Sequence, residues 1–301
     1  MSKIAKKIVV IGGLLIAGFL IWYLFLKPYD YLVTFKVNTT AGTINQSLKQ
    51  WNLGLEGSNT VQQENLNSLI QKININDTVY LYNWRISSVN DSVSKVKVYV
   101  STKENSFQNK VSILFFNTDF EKVTRKTITD FMDRLNAHLK EIKVSVVGES
   151  TTPSTYCAYV SIKDLQRNKA KGMMRNYSFL SSILANEGIK INGTPFIEVT
   201  NWNIENDSIA YNFCFPIIKS DSLPEHKNLK YKQYNGVKAI KAIYNGNYIT
   251  SDRAWYALLE EAKQQEMEIH KTPVEFFYNN PNYGGNELSW KAEIFMPVKL
   301  K

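Results

Sequence analysis

The chain has 301 residues, of which 44% are hydrophobic, 13% aromatic and 21% charged. That balance excludes disordered, collagen-like and disulfide-dense classes and predicts about two domains, each long enough to bury a core. The formal net charge of +9 invites a nucleic-acid or membrane-surface reading. However, Lys3, Lys6, Lys7 and Lys27 flank one uncharged run and take four of the nine units, leaving +5 spread over residues 28–301. A surplus that diffuse is no phosphate footprint, and direct contact with nucleic acid is not expected.

The first predicted element is that uncharged run, Ile8–Leu26. As a helix it would rise roughly 28 Å, close to the ~30 Å hydrocarbon core of a bilayer. Trp22 and Tyr23 stand where interfacial aromatics sit, and the run ends in bulky residues instead of a cleavage site. The expectation is a single-pass transmembrane anchor through residues 8–26. Residues 1–27 would hold the cytoplasmic lysines and the anchor, with the bulk of the chain periplasmic or extracellular.

Alternation of Tyr31, Val33, Phe35 and Val37 predicts a strand. Ile44, Leu48 and Trp51 behind Thr39-Thr40 predict a short amphipathic helix. Thr78–Ile86, Val93–Ser101 and Lys110–Phe116 read as strands, and Thr118-Asp119-Phe120-Glu121 as a capping box opening a long helix over 119–142. Residues 143–155, with Gly148, Pro153 and a Ser/Thr cluster, read as a linker, placing a domain boundary at 149–155.

Beyond it the sequence repeats. Thr194-Pro195 answers Thr272-Pro273, and Phe215-Pro216-Ile217 answers Met296-Pro297-Val298. Each copy follows a strand, Tyr156–Ile162 or Val237–Tyr244, and a helix, one striped by Met173, Tyr177, Leu180 and Leu184, the other by Trp255, Leu258, Leu259 and Ala262. Two tandem β-α-β-β units with pseudo-two-fold symmetry are expected, and pockets favour such junctions. Cys157 and Cys214 supply no cysteine-based zinc site; they either pair or are buried hydrophobes. His138, His226 and His270 share no metal-ligand spacing, so neither a metal nor a cofactor is implied.

Tyr244-Asn-Gly246-Asn-Tyr248, the helix with Trp255, Thr-Pro273-Val-Glu275-Phe-Phe-Tyr278-Asn-Asn-Pro281 and Lys-Ala-Glu293-Ile-Phe-Met-Pro297-Val298 resemble the closing signature of the gyrase-inhibitor-like small-molecule-binding domain. That domain is also the effector-binding part of multidrug-sensing bacterial transcription activators. The resemblance covers roughly residues 156–301. Residues 28–148 resemble more loosely, in element order, a START-like (SRPBCC) helix-grip domain, degenerate in the polar stretch Asn52–Asn67. The fold class implied is α+β: an anchor helix, a helix-grip-like domain, then the duplicated domain.

What the resemblance implies is a cationic or amphipathic aromatic ligand held by aromatic side chains and a carboxylate. Glu275 matches that carboxylate, and among Val274, Phe276, Phe277 and Tyr278 it is costly to bury without a cation or donor. The alternative is that Glu275 pairs with one of the chain's lysines. Glu293, Phe277, Tyr278 and Tyr248 complete the ligand set, with Trp202 and Tyr211 from the first repeat; Trp255 fits core packing better. Glu198 is left out, because it lies three residues after Pro195 while Glu275 lies two after Pro273, and one residue of slip reverses the face of a strand. The expected function is a membrane-anchored, non-catalytic receptor that senses or sequesters a small molecule at the cell envelope. Two alternatives are a hydrolase of cyclopropane-type natural products, which the resemblance also implies, with Glu275 and a nearby tyrosine activating water, and an envelope structural or interaction protein.

Overall fold

A computed structural model describes residues 3–220 and 223–299; Met1, Ser2, Asp221, Ser222, Leu300 and Lys301 lie outside the described residues. The fold is α+β, built on two antiparallel sheets in two compact units, Met1–Val37, Leu48–Ser87 and Ser94–Arg134 in one and Asn38–Ser47, Ser88–Val93 and Leu135–Lys301 in the other.

The structure does not support the expected transmembrane anchor or the single-pass placement. Among the described residues no helix is long and apolar enough to cross a membrane. Helix α1 (Lys3–Ile21) gives way to a π-helical turn over Trp22–Leu26, so the apolar run is not one regular α-helix. Its α-helical part, Ile8–Ile21, rises only about 21 Å. Leu14, Leu15, Ile16 and Phe19 on it are exposed.

Strand β1 (Tyr31–Val37) and helix α2 (Ala41–Leu53) fall where the periodicity places them. Strands β2 (Gln62–Asn65), β3 (Ser68–Ile75), β4 (Thr78–Asn90) and β5 (Val93–Thr102) complete a sheet of order β1-β5-β4-β3-β2. Lys110–Phe116 is not a strand. Helix α3 (Ser106–Ser112) occupies its start, held by hydrogen bonds from Ser106 and Asn109 to the Asp30 carboxylate and from the Lys110 ammonium to the carbonyls of Leu24 (3.3 Å) and Lys27 (2.6 Å). Helix α4 (Asp119–Lys140) begins with half of the expected box. The Glu121 N–H donates to Thr118 Oγ1 (3.1 Å), while the Glu121 carboxylate turns instead to Tyr31 and Arg125.

The second unit carries β6 (Lys143–Thr151), β7 (Thr155–Leu165), α5 (Lys169–Asn186), β8 (Phe196–Asn203), β9 (Ser208–Pro216), β10 (Lys230–Tyr234), β11 (Lys238–Asn245), α6 (Arg253–Gln264), β12 (Val274–Phe277) and β13 (Lys291–Pro297). The linker read over 143–155 is largely strand β6, paired with β11; a bulge opposite Lys241/Ala242 accommodates the loop-like Gly148, whose φ is +105°. The sheet order is β10-β7-β9-β8-β12-β13-β11-β6. Where the repeats meet, Val274 pairs with Glu198, Glu275 with Ile197 and Phe276 with Phe196. If Pro195 answers Pro273, the first and third pairs are images of each other, and Glu275/Ile197 lies on the pseudo-two-fold axis.

This sheet curls. The β6–β7 and β10–β11 connections, residues 152–154 and 235–237, reach at most about 14 Å. In a flat sheet the strands they join would lie roughly 29 Å apart. The two connections close on each other, Thr152 N–H to Val237 O (3.0 Å) and Val237 N–H to Thr152 Oγ1 (2.9 Å). Tyr234 and Phe196, three strands apart in order, bring their ring centroids to 5.4 Å, which identifies their face as the inner one. Cys157, Phe196, Cys214, Tyr234, Ala239, Val274, Phe276 and Phe295 form a buried cluster there. Both cysteines are free thiols. Helices α5 and α6 lie on the opposite, outer face, where Lys169 of α5 meets Tyr211 and Trp255 of α6 meets Trp202.

Candidate functional site

Alternation along β12 sends Glu275 to the helix-covered outer face and Val274 and Phe276 to the inner one. Glu275 is fully buried. Both its oxygens accept from the Lys169 ammonium (2.7 and 2.9 Å), and one also accepts from Ser251 Oγ (2.6 Å). Lys169, equally buried, opens α5, donates to Ser251 Oγ (2.6 Å) and sits 5.1 Å from the Trp255 ring. Burying two charges is costly and is offset only by such complete pairing. Of the two sequence readings of Glu275, the structure gives the internal lysine.

Around this pair lie four more of the expected ligand residues, all buried. Tyr211 OH donates to the Lys169 carbonyl (2.8 Å), a reach made possible by Gly172, where a Cβ would stand 2.2 Å from that hydroxyl. Trp202 meets Trp255 edge-on (5.0 Å) and donates to Gln166 Oε1 (2.8 Å), while Tyr248 meets Phe277 (4.9 Å). Gln166 in turn donates to Asp252 Oδ2 (2.6 Å) and Tyr256 OH (3.0 Å). This outer face is a filled polar core.

At its edge His138 is held neutral: burial lowers its pKa to about 4, the Arg253 guanidinium adds to the effect, and Asp252 opposes it. The folded form therefore binds fewer protons than the unfolded chain below an ordinary histidine pKa near 6.5. Stability should fall as pH drops from about 6.5 to about 4 and then level off, by roughly 3 kcal/mol from this group. Urea titrations at pH 7, 5.5 and 4.5 check it; with His138→Gln the slope over that window should flatten.

The remaining two expected residues lie on the inner face. Tyr278 OH donates to Glu293 Oε2 (3.0 Å), and Glu293 pairs with Lys241 (3.0 Å) and Lys291 (2.7 Å). Burial opposes the charge of Glu293, but the hydrogen bonds from Lys291, Lys241 and Tyr278 hold its carboxyl below the usual carboxylate range. Across the floor, Glu198 pairs with Lys232 and accepts from Asn212 Nδ2 (2.8 Å). Each ammonium also covers a ring: Lys241 over Phe295 (5.2 Å), Lys291 over Tyr278 (4.7 Å) and Lys232 over Tyr159 (5.0 Å). The floor is dry, with Phe276 and Phe295 at 4% and 2% exposure, while the rim is half open, with Tyr278 at 47% and the Lys291 side chain at 40%.

No protein-family model matches this sequence, and no curated protein matches it. Among solved structures, it is similar to an EcmrR–DNA complex, with 12% identity over 64% of this chain and 71% of that chain and a TM-score of 0.45. It is also similar to the EcmrR C-terminal domain, with 15% identity over 53% and 99% and a TM-score of 0.39. A third is SAV2435 bound to tetraphenylphosphonium, with 14% identity over 53% and 94% and a TM-score of 0.34. At these values no function is carried across.

The expected ligand set is thus divided by the sheet: Glu275, Phe277, Tyr248, Trp202 and Tyr211 on the outer face, Tyr278 and Glu293 on the inner. The slip that set Glu198 apart from Glu275 does reverse its face, and that reversal brings Glu198 to the inner face with Glu293. Lys169, Ser251 and the three rim lysines were missed. For Lys169 a signal existed, since it precedes Met173 by one helical turn and so continues the apolar stripe Met173, Tyr177, Leu180 with a charge. For Lys232 and Lys241 there was none, because only the curl and the pairing register bring β10 and β11 over the floor.

Proposed function

We propose that residues 156–301 act as a non-catalytic module that binds a small amphipathic aromatic molecule at the half-open rim of the curled sheet's inner face, beside Tyr278 and Glu293. The observation that carries this reading is the pairing of a dry aromatic floor with a half-open rim of charged groups stacked on rings. The gyrase-inhibitor-like resemblance of the sequence agrees with it. A hydrolytic role for Glu275 has less support, since both its oxygens are taken by Lys169 and Ser251 in a fully buried setting. The first unit is proposed as a helix-grip-type companion.

The test is a thermal-shift panel of aromatic cations, anions and neutral compounds on the full chain. At least one class should raise the melting temperature, and Tyr278→Ala, at a half-exposed position, should shrink that shift. A panel with no shift for any class counts against binding.

A further inference from the structure

Helix α6 borders a cavity away from the inner face. Arg253, Ala257, Glu260 and Glu261 follow one another at helical spacing and line a space of about 360 Å³, which falls within the range of small-molecule pockets. Every residue that lines it belongs to the second unit. Leu139, Ile142, Val144 and Val146 make its apolar surface, and among the described residues no aromatic side chain lines it.

The two ends of the α6 stripe carry opposite charge. Arg253 is 6% exposed; it spends one donor on Asp252 (3.0 Å), and its Nε is buried without a partner. A guanidinium has five donors, so one bond leaves it short of an acceptor. Thr40 and Thr43, which also line the cavity, open α2, and the positive end of that helix adds to the guanidinium's field. Gly42 keeps this first turn at the Arg253 end of the stripe, since a Cβ there would stand 2.0 Å from the Tyr256 ring. Two helical turns along, about 10 Å away, Glu260 and Glu261 are half-buried and have no ion-pair partner among the described residues. Asp91, exposed on the β4–β5 turn, is a third acid on the lining. An anion alone meets the carboxylates and a cation alone meets Arg253, whereas a molecule with both charges answers each end. Ala257, between them, leaves room for the chain that joins the charges.

We infer that this cavity is a second binding site, for a linear zwitterion. Its carboxylate meets Arg253 and the α2 N-terminus, its aliphatic chain lies over Ala257 against Ile142 and Val144, and its ammonium meets Glu260 and Glu261. The site is independent of the rim beside Tyr278 and Glu293, and its lining selects an aliphatic body where that rim offers rings.

Extended 8-aminooctanoate holds its two charges about 10 Å apart, while octanoate and octylamine each lack one of them. Isothermal titration of the full chain should find 8-aminooctanoate bound about tenfold more tightly than either, and about tenfold more tightly than 4-aminobutanoate, which is too short to reach both ends. Ala257→Leu should abolish this binding by filling the cavity, with the melting temperature of the free protein nearly unchanged, because the position is half-buried and leucine is a good helix former. Glu260→Gln combined with Glu261→Gln should bring 8-aminooctanoate down to the affinity of octanoate. Equal binding of the three eight-carbon compounds overturns the inference, as does no binding of 8-aminooctanoate. Binding that survives Ala257→Leu overturns it too, by placing the ligand elsewhere. None of these outcomes touches the binding reading at the Tyr278 rim, which the aromatic panel tests by itself.

Discussion

Lys169→Met is expected to destabilise the protein by about 3–5 kcal/mol, because it leaves the Glu275 carboxylate buried with Ser251 as its remaining side-chain donor. At roughly 2–4 °C per kcal/mol for a unit of this size, the melting transition should drop by about 6–20 °C. Glu275→Leu should cost a similar amount by stranding the ammonium against Trp255 and Ser251. The double variant Lys169→Met/Glu275→Leu should recover most of the loss, since two apolar side chains of similar volume remove both desolvation penalties at once. A double-mutant cycle by urea unfolding measures the coupling. Costs that simply add, or single substitutions costing under about 1 kcal/mol, mean that the pair is not held in a dry site. The same double variant also separates structure from function: with Lys169 and Glu275 confined to the outer face, it should keep whatever ligand the inner face binds.

Much of the fold was legible because its strands and helices alternate or stripe regularly. β1 carries Tyr31, Val33, Phe35 and Val37 on one side, and the Thr-Pro and aromatic-Pro echoes locate both copies of the repeat. Elements that break the apolar pattern escaped notice. β3 places Gln71 between Leu69 and Ile73 in the buried register, and β10, Lys-Tyr-Lys-Gln-Tyr, has almost no apolar alternation. The strand β6 hid behind Gly148, whose positive φ belongs to a bulge and not to a loop. The apolar run at the N-terminus was legible as a helix, but composition does not report the π-helical turn that ends its regular part at Ile21. The site was legible residue by residue and not as a site. Spacing told that Glu198 and Glu275 face opposite ways, yet which of those faces is filled by helices and which lines the curl depends on connections of three residues and on their closure at Thr152 and Val237.

In the first unit the largest loss is expected from Trp84→Ala. Tyr80, Tyr82 and Trp84 occupy alternate positions of β4 and form a ladder of rings 6.4 Å apart at each step, and Trp84 closes edge-on against Phe131 of α4 at 5.1 Å. Trp84 is fully buried, so truncation removes its transfer energy and leaves a cavity, about 3–5 kcal/mol in all. It also breaks a chain of buried hydrogen bonds. Trp84 Nε1 donates to Gln71 Oε1 (3.0 Å), Gln71 Nε2 donates to Asn52 Oδ1 (2.7 Å), and Asn52 Nδ2 donates to the Asn59 carbonyl (2.8 Å). Trp84→Phe keeps most of the ring contact and deletes the donor alone, so its cost, about 1–3 kcal/mol, reports the orphaned Gln71 oxygen. Calorimetry of the full chain should show one unfolding transition moving down, further for Ala than for Phe. If the two variants cost the same, packing of the indole contributes nothing beyond its hydrogen bond, and the ladder is not what holds α4 to this sheet.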